Sequence, residues 1–162
     1  MWKISLLIFA LLTAIPLQAQ KVDEYNVPEA VTQCWAKKKY EHSYEISGSI
    51  NPFYLRGDFN GDAGTDYAIL ITEKRSGKRG LAICFGGTVS TAILGAGKEF
   101  NEADEFMLEA WQVYGKRSVS QGGGEGPPPR LLGEAILVEW PERASGLIYW
   151  NGKKFVWYQQ GD

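Results

Sequence analysis

The chain is poor in the side chains that most active sites are built from. Its 162 residues include one histidine, His42, and two cysteines, Cys34 and Cys84. Any Ser-His-Asp or Cys-His arrangement would have to use His42, which stands among polar residues just past an expected helix end. HExxH, GxSxG and CxxC spacings are all missing. Gly95-Ala96-Gly97-Lys98 has the ring of a phosphate loop, but Ala92 and Glu99 break the pattern on both sides. There is no excess of positive charge, since the formal net charge is −2. Nucleic acid and anionic membrane surfaces are therefore not expected partners. No segment repeats, which leaves out solenoids and propellers built by duplication.

Long apolar runs are also missing, apart from one at the start. MWKISLLIFALLTAIPLQAQ joins a positive head at Lys3 to an apolar run from Ile4 to Ile15 and a small residue, Ala19, before a cut. A run of about a dozen residues is short of the ~20 that a membrane-spanning helix needs, so residues 1–19 read as a secretory signal peptide. The protein is expected to be exported, periplasmic or secreted, with residues 21–162 forming one globular domain and no stable membrane insertion after cleavage. Loss of Lys3 leaves 16 basic against 19 acidic residues, a net charge of −3. In an oxidising compartment an even cysteine count favours a bridge between Cys34 and Cys84 over two buried thiols.

What the chain does have is aromatic side chains and sheet-like segments. Aromatics make up 13% of it, enough to furnish a core for a domain of this size. Asn26-Val27-Pro28 followed by Glu29 opens like a capped helix, and Val31, Cys34, Trp35 and Lys38 continue at helical spacing; a helix is expected over 28–42. Strands are expected over 67–72, 81–85, 89–94, 135–140, 146–150 and 154–158. Asn151-Gly152 is a two-residue hairpin signal between the last two. Residues 101–114 mix helical and strand spacing and read as helix, while 121–129, with Gly and Pro throughout, reads as loop. The fold class is α+β: mainly antiparallel sheet with an N-terminal helix, not a full β-propeller.

The most specific segment is DFNGDAGTD, residues 58–66. Asp58, Asn60 and Asp62 offer side-chain oxygens at positions one, three and five. The Gly64 carbonyl falls at position seven and Asp66 at position nine, the order in which a short loop wraps a calcium ion. Three carboxylates this close repel by about 1 kcal/mol per pair at ~4 Å in water, which favours a cation among them. The string resembles the calcium loop of FG-GAP or VCBS-type repeats, the motif of integrin-like propeller blades. It is also similar to the first part of an EF-hand or dockerin loop. The resemblance covers about 15 residues and implies a Ca²⁺ site leading into the strand at Tyr67. Two positions depart from the pattern. Ala63 stands where Gly is usual, and Ile69 at position twelve replaces the bidentate glutamate, which leaves out a helical EF-hand. An acidic turn held by Asx hydrogen bonds, with no metal, is the alternative.

Other features carry less. Arg56-Gly57-Asp58 spells an adhesion tripeptide, but Asp58 is already taken as the first ligand. The acidic run Glu99, Glu102, Asp104, Glu105 and Glu109 has the makings of paired carboxylates for hydrolysis, yet a solvated face is the far commoner explanation of such a run. Trp140, Tyr149, Trp150, Phe155, Trp157 and Tyr158 place large rings on both faces of the last hairpin. Core packing with a helix over the second face accounts for them, as does a surface for a protein or carbohydrate partner. The functional expectation is an exported, non-enzymatic domain with a structural Ca²⁺ loop. An interaction module using those aromatics, and a metal-assisted hydrolase, are the alternatives.

Overall fold

A computed structural model describes residues 22–161, apart from 89, 125 and 141–143, and the side chain of Trp140. The leader therefore lies outside the described residues. Two antiparallel sheets stack face to face, and one helix covers the outer side of the first.

The helix α1 (Glu29–Lys38) is shorter than expected. Asn26 does not cap it; that residue closes a preceding 3-10 turn, and the first helical amides, Val31 and Thr32, donate to the Pro28 carbonyl. Lys39 ends the helix in the left-handed region at φ 54°, and residues 40–42 form a separate 3-10 turn. Lys37 and Lys38 lie in the last turn, where positive charge complements the helix dipole. Val31 is fully buried under the helix, and Cys34 is bridged to Cys84, as the sequence suggested.

The first sheet contains β1 (Tyr44–Ile46), β2 (Tyr54–Gly57), β3 (Asp66–Glu73), β4 (Arg79–Cys84) and β5 (Thr91–Gly95). Its order is β1-β3-β4-β5, with β2 pairing the other half of the β3 edge that β1 uses. The second is a meander of β6 (Ala110–Tyr114), β7 (Ala135–Trp140), β8 (Ala144–Trp150) and β9 (Phe155–Gly161). The helix expected over 101–114 is not there. Asn101 and Glu102 take positive φ, which no helix start allows, and the segment straightens into β6.

β3 is central and has both faces covered, which explains its unbroken apolar run. Ile69 and Ile71 face the helix with Val31, Tyr44, Ala82 and Cys84. Ala68 and Leu70 face the second sheet with Leu81, Ile83, Ile136, Val138 and Ile148. At roughly 1.5–3 kcal/mol for each large aliphatic side chain withdrawn from water, this inter-sheet layer is the main cohesive contact. Trp111 fastens β6 across it, its Nε1 donating to the Pro52 carbonyl at 2.7 Å. The outer face of the second sheet is covered not by a helix but by Val119 and Leu131, from described irregular parts of the 115–134 segment, against Ala135, Leu147 and Tyr158. The last hairpin is present, but pairing stops at Trp150 and Phe155, leaving a four-residue connection with Gly152 at φ 96°.

Candidate functional site

Residues 58–65 connect β2 to β3, so the acidic loop is the tip of a hairpin whose register pairs Gly57 with Asp66. The chain curls back because its carboxylates gather its own amides. Asp58 Oδ1 accepts from the N–H groups of Gly61 (2.7 Å) and Asp62 (3.1 Å), and its Oδ2 accepts from Ala63 (3.0 Å). Asn60 Oδ1 accepts from Asp62 N–H at 3.0 Å, while its amide nitrogen donates to Asp62 Oδ2 at 2.9 Å. Asp62 Oδ1 accepts from Gly64 N–H at 2.7 Å. These are the Asx bonds that short acidic side chains make with neighbouring backbone.

Two backbone positions make this curl possible. Gly61 has φ 82°, and a Cβ there would stand 2.6 Å from the Leu132 carbonyl oxygen, so glycine is needed on both counts. Ala63 has φ 66°, the left-handed conformation its replacement of glycine makes unfavourable.

Asp66 differs from the other acids. It is fully buried, with Oδ2 accepting from Phe59 N–H at 2.9 Å and Oδ1 from Gly86 N–H at 2.8 Å. Burial pushes its carboxyl above the usual range, against the pull of the Gly86, Phe59 and Asn60 amides. Asp62, fully exposed, is held below the usual range by the Asn60 side chain and the Gly64 N–H. Phe59 beside Asp66 is likewise fully buried. The two residues pin the loop base from inside.

The loop is also clasped from outside its own hairpin. Asp58 N–H donates to Glu134 Oε2 at 2.9 Å, and Glu134 N–H donates to the Asp58 carbonyl at 2.6 Å. Neither Glu134 nor Gly86 stood out in the sequence. Gly86 was within reach of register reasoning, because pairing Tyr67 with Cys84 continues to Thr65 and Gly86. Nothing local signals Glu134, which lies 76 residues from its partner.

Asp58, Asn60, Asp62 and Gly64 thus share one tip, while Asp66 turns its carboxylate inward to amides. Among the described residues no three His, Cys, Asp or Glu side chains converge as a ready metal cage. The donor chemistry still suits a hard cation, being all oxygen, and each carboxylate oxygen has more than one lone pair. None of Asp58, Asp62, Asp66 and Glu134 makes an ion pair with a described Lys, Arg or His. An open depression of about 600 Å³ adjoins the tip, lined by Arg56, Asp62, Gly64, Thr65, Tyr67 and Gly86 among others. With its carboxylate turned onto three loop amides, Asp58 does not present the adhesion tripeptide.

The remaining candidates sit elsewhere. His42 is exposed, its Nδ1 3.3 Å from both the Lys39 carbonyl and Glu41 Oε1. In the acidic run, Asp104 pairs with Lys78, and Glu105 approaches Arg79 at 3.7 Å. Of the C-terminal rings, Trp150, Phe155 and Trp157 turn into the inter-sheet core, where Phe85 stacks on Phe155 with centroids 6.0 Å apart. Tyr149 and Tyr158 turn to the opposite face, under the 115–134 segment. Among the described residues no helix is long and apolar enough to cross a membrane. The disulfide is compatible with an oxidising, extracellular setting. No protein-family model, curated protein or solved structure matches the chain.

Proposed function

We propose that this chain is an exported, non-enzymatic domain in which the 58–66 loop holds a structural Ca²⁺ that fixes the tip of the β2–β3 hairpin. The observation that carries this reading is the grouping of the Asp58, Asn60 and Asp62 side chains at one hairpin tip, where neither carboxylate has a described cationic partner. Asp58, Asn60 and Asp62 would hold the ion by side-chain oxygen and Gly64 by its carbonyl, with Asp66 as the fifth, inward donor. The ion would supply charge neutralisation and a cross-link, and no bond chemistry. The resemblance to FG-GAP or VCBS-type loops supports the same assignment. Without a bidentate glutamate the affinity belongs in the range of about 10⁻⁴–10⁻³ M seen in extracellular modules.

The non-enzymatic part rests on the side chains a hydrolase would use. His42 faces solvent beside a helix end, and Asp104 and Glu105 are engaged with Lys78 and Arg79. The leader-like start and the Cys34–Cys84 bridge support a periplasmic or secreted location.

Thermal melting in EDTA and in rising Ca²⁺ tests the proposal. At ten times the dissociation constant, binding to the folded state alone adds about 1.4 kcal/mol, a rise in Tm of several degrees. Asp62→Ala, which changes an exposed side chain, is expected to abolish the rise while leaving the EDTA melting temperature nearly unchanged. An equal Tm in EDTA and in millimolar Ca²⁺ would refute the site.

A further inference from the structure

β5 is an edge strand of an unusual kind. Among the described residues β4 is the one strand that pairs with it, and its sequence, Thr91-Ala92-Ile93-Leu94-Gly95, contains no charge and no proline. Edge strands normally carry such residues to prevent sheet extension. The direction of its backbone groups follows from the ladder. Ala96 N–H donates to the Arg79 carbonyl, and Phe85 N–H donates to the Ser90 carbonyl. With the register Leu81–Leu94 and Ile83–Ala92 between them, Ala92 and Leu94 turn both backbone groups to β4. Thr91, Ile93 and Gly95 therefore turn theirs outward, and the Gly95 carbonyl indeed accepts from Lys98 N–H beyond the strand, at 2.9 Å. Thr91 and Ile93 keep two donors and two acceptors on the open edge.

Beside this edge lies a groove of about 810 Å³, bordered by β5 and β9. Phe85, Trp150 and Phe155 line it toward the Thr91 end, where the exposed Lys153 and Lys154 stand at the β8–β9 turn. Phe100, Asn101 and the exposed Glu99 border it past Gly95, at the other end. Among the side chains that line the groove, the one acid, Glu99, is thus at one end and the two lysines at the other, with Lys98 outside the lining beside Glu99.

We propose that β5 is a homodimerisation edge whose occupant is the β5 strand of a second copy, running antiparallel about a two-fold axis at Ala92. That register pairs Thr91 with Ile93 of the other copy, and Ile93 with its Thr91. All four outward backbone groups on each side are then satisfied, joining the two first sheets into one. An isologous contact must be self-complementary in this way. The charges agree: reversing one copy's direction brings its Glu99 end to the Lys153–Lys154 end of the other, twice per dimer. An unrelated extended peptide would use the same backbone groups, but nothing on the surface selects one, whereas the edge and its charges both complement themselves.

The test uses the full mature chain, oxidised, with sedimentation equilibrium over a thousandfold range of concentration up to the millimolar. A reversible monomer–dimer equilibrium is expected, with slower amide hydrogen exchange at Thr91 and Ile93 in the dimer. Glu99→Lys alone, and Lys153→Glu with Lys154→Glu, are each expected to weaken the dimer by roughly two- to thirtyfold, the range for two exposed ion pairs. The three changes combined restore it. These side chains are exposed, and an unchanged melting temperature of the dilute monomer confirms that each variant folds. A monomer at every concentration overturns the proposal. So does a dimer without added protection at Thr91 and Ile93, or one in which the combined variant fails to recover.

Discussion

Removing the Asp66 carboxylate is the sharpest perturbation of the loop that the structure offers. Its two oxygens are the acceptors for Phe59 and Gly86 N–H, and the side chain is fully buried. In Asp66→Ala the buried Phe59 N–H loses its partner at about 1–3 kcal/mol, and the part-buried Gly86 N–H, beside the open depression, at the lower end of that range. Relief of the desolvation that raises the Asp66 pKa offsets part of this. A net loss of about 2–4 kcal/mol is therefore expected. Asp66→Asn keeps one acceptor oxygen and places an NH₂ group against the other N–H, so it should lose about 1–3 kcal/mol. The assay is urea unfolding of the oxidised protein in EDTA, followed by tryptophan fluorescence, so that no bound cation contributes. The order wild type, Asn, Ala in unfolding midpoint, with similar slopes, supports the reasoning. An Ala variant within about 0.5 kcal/mol of wild type, the ordinary range of surface changes, would refute it.

Three other outcomes follow from particular contacts. Replacing Cys34 and Cys84 by Ala together should cost about 4 kcal/mol, because the bridge closes a span of 50 residues; denaturant midpoints measure it, and a loss under about 1 kcal/mol would show that α1 needs no tether. Ala63→Gly should stabilise by about 0.5–1 kcal/mol by relieving φ 66°, and a lower melting temperature would contradict the strain assigned there. A Cβ on Gly146 would stand 2.1 Å from the Trp157 ring. Gly146→Ala should therefore displace that ring, costing about 1–3 kcal/mol and shifting its emission; unchanged stability and fluorescence would mean that Trp157 is not seated against β8.

How much of this was legible depended on range along the chain. α1, the core strands and the final hairpin announce themselves by runs and spacing within a few residues. β1 and β2 do not, because three- and four-residue strands carry no period; β3 makes them strands by supplying the partner edge. The helical reading of 101–114 failed because Phe106 and Leu108 point to the core from irregular backbone before β6 begins, so two alternations out of phase imitated a helical spacing. The same divide runs through the site. Asp58, Asn60 and Asp62 are recognisable by spacing, whereas the inward turn of Asp66 depends on Gly86, and the outer clasp on Glu134. Those partners belong to other strands' ends, and only the assembled sheets bring them in.

The Glu134 clasp bears on when the loop becomes fixed in place. As the chain leaves the ribosome or the export channel, residues 58–66 emerge well before the residue that grips them. A free β2–β3 hairpin keeps the bonds between its acids and its own amides but lacks Glu134, so the Asp58 N–H and carbonyl have no partner from the second sheet. Closing a separation of 76 residues is slow relative to local pairing and comes after both sheets have begun to associate. The clasp on the acidic tip is therefore a late product of folding, and transplanting residues 54–73 into another scaffold would move the curl without the grip on Asp58.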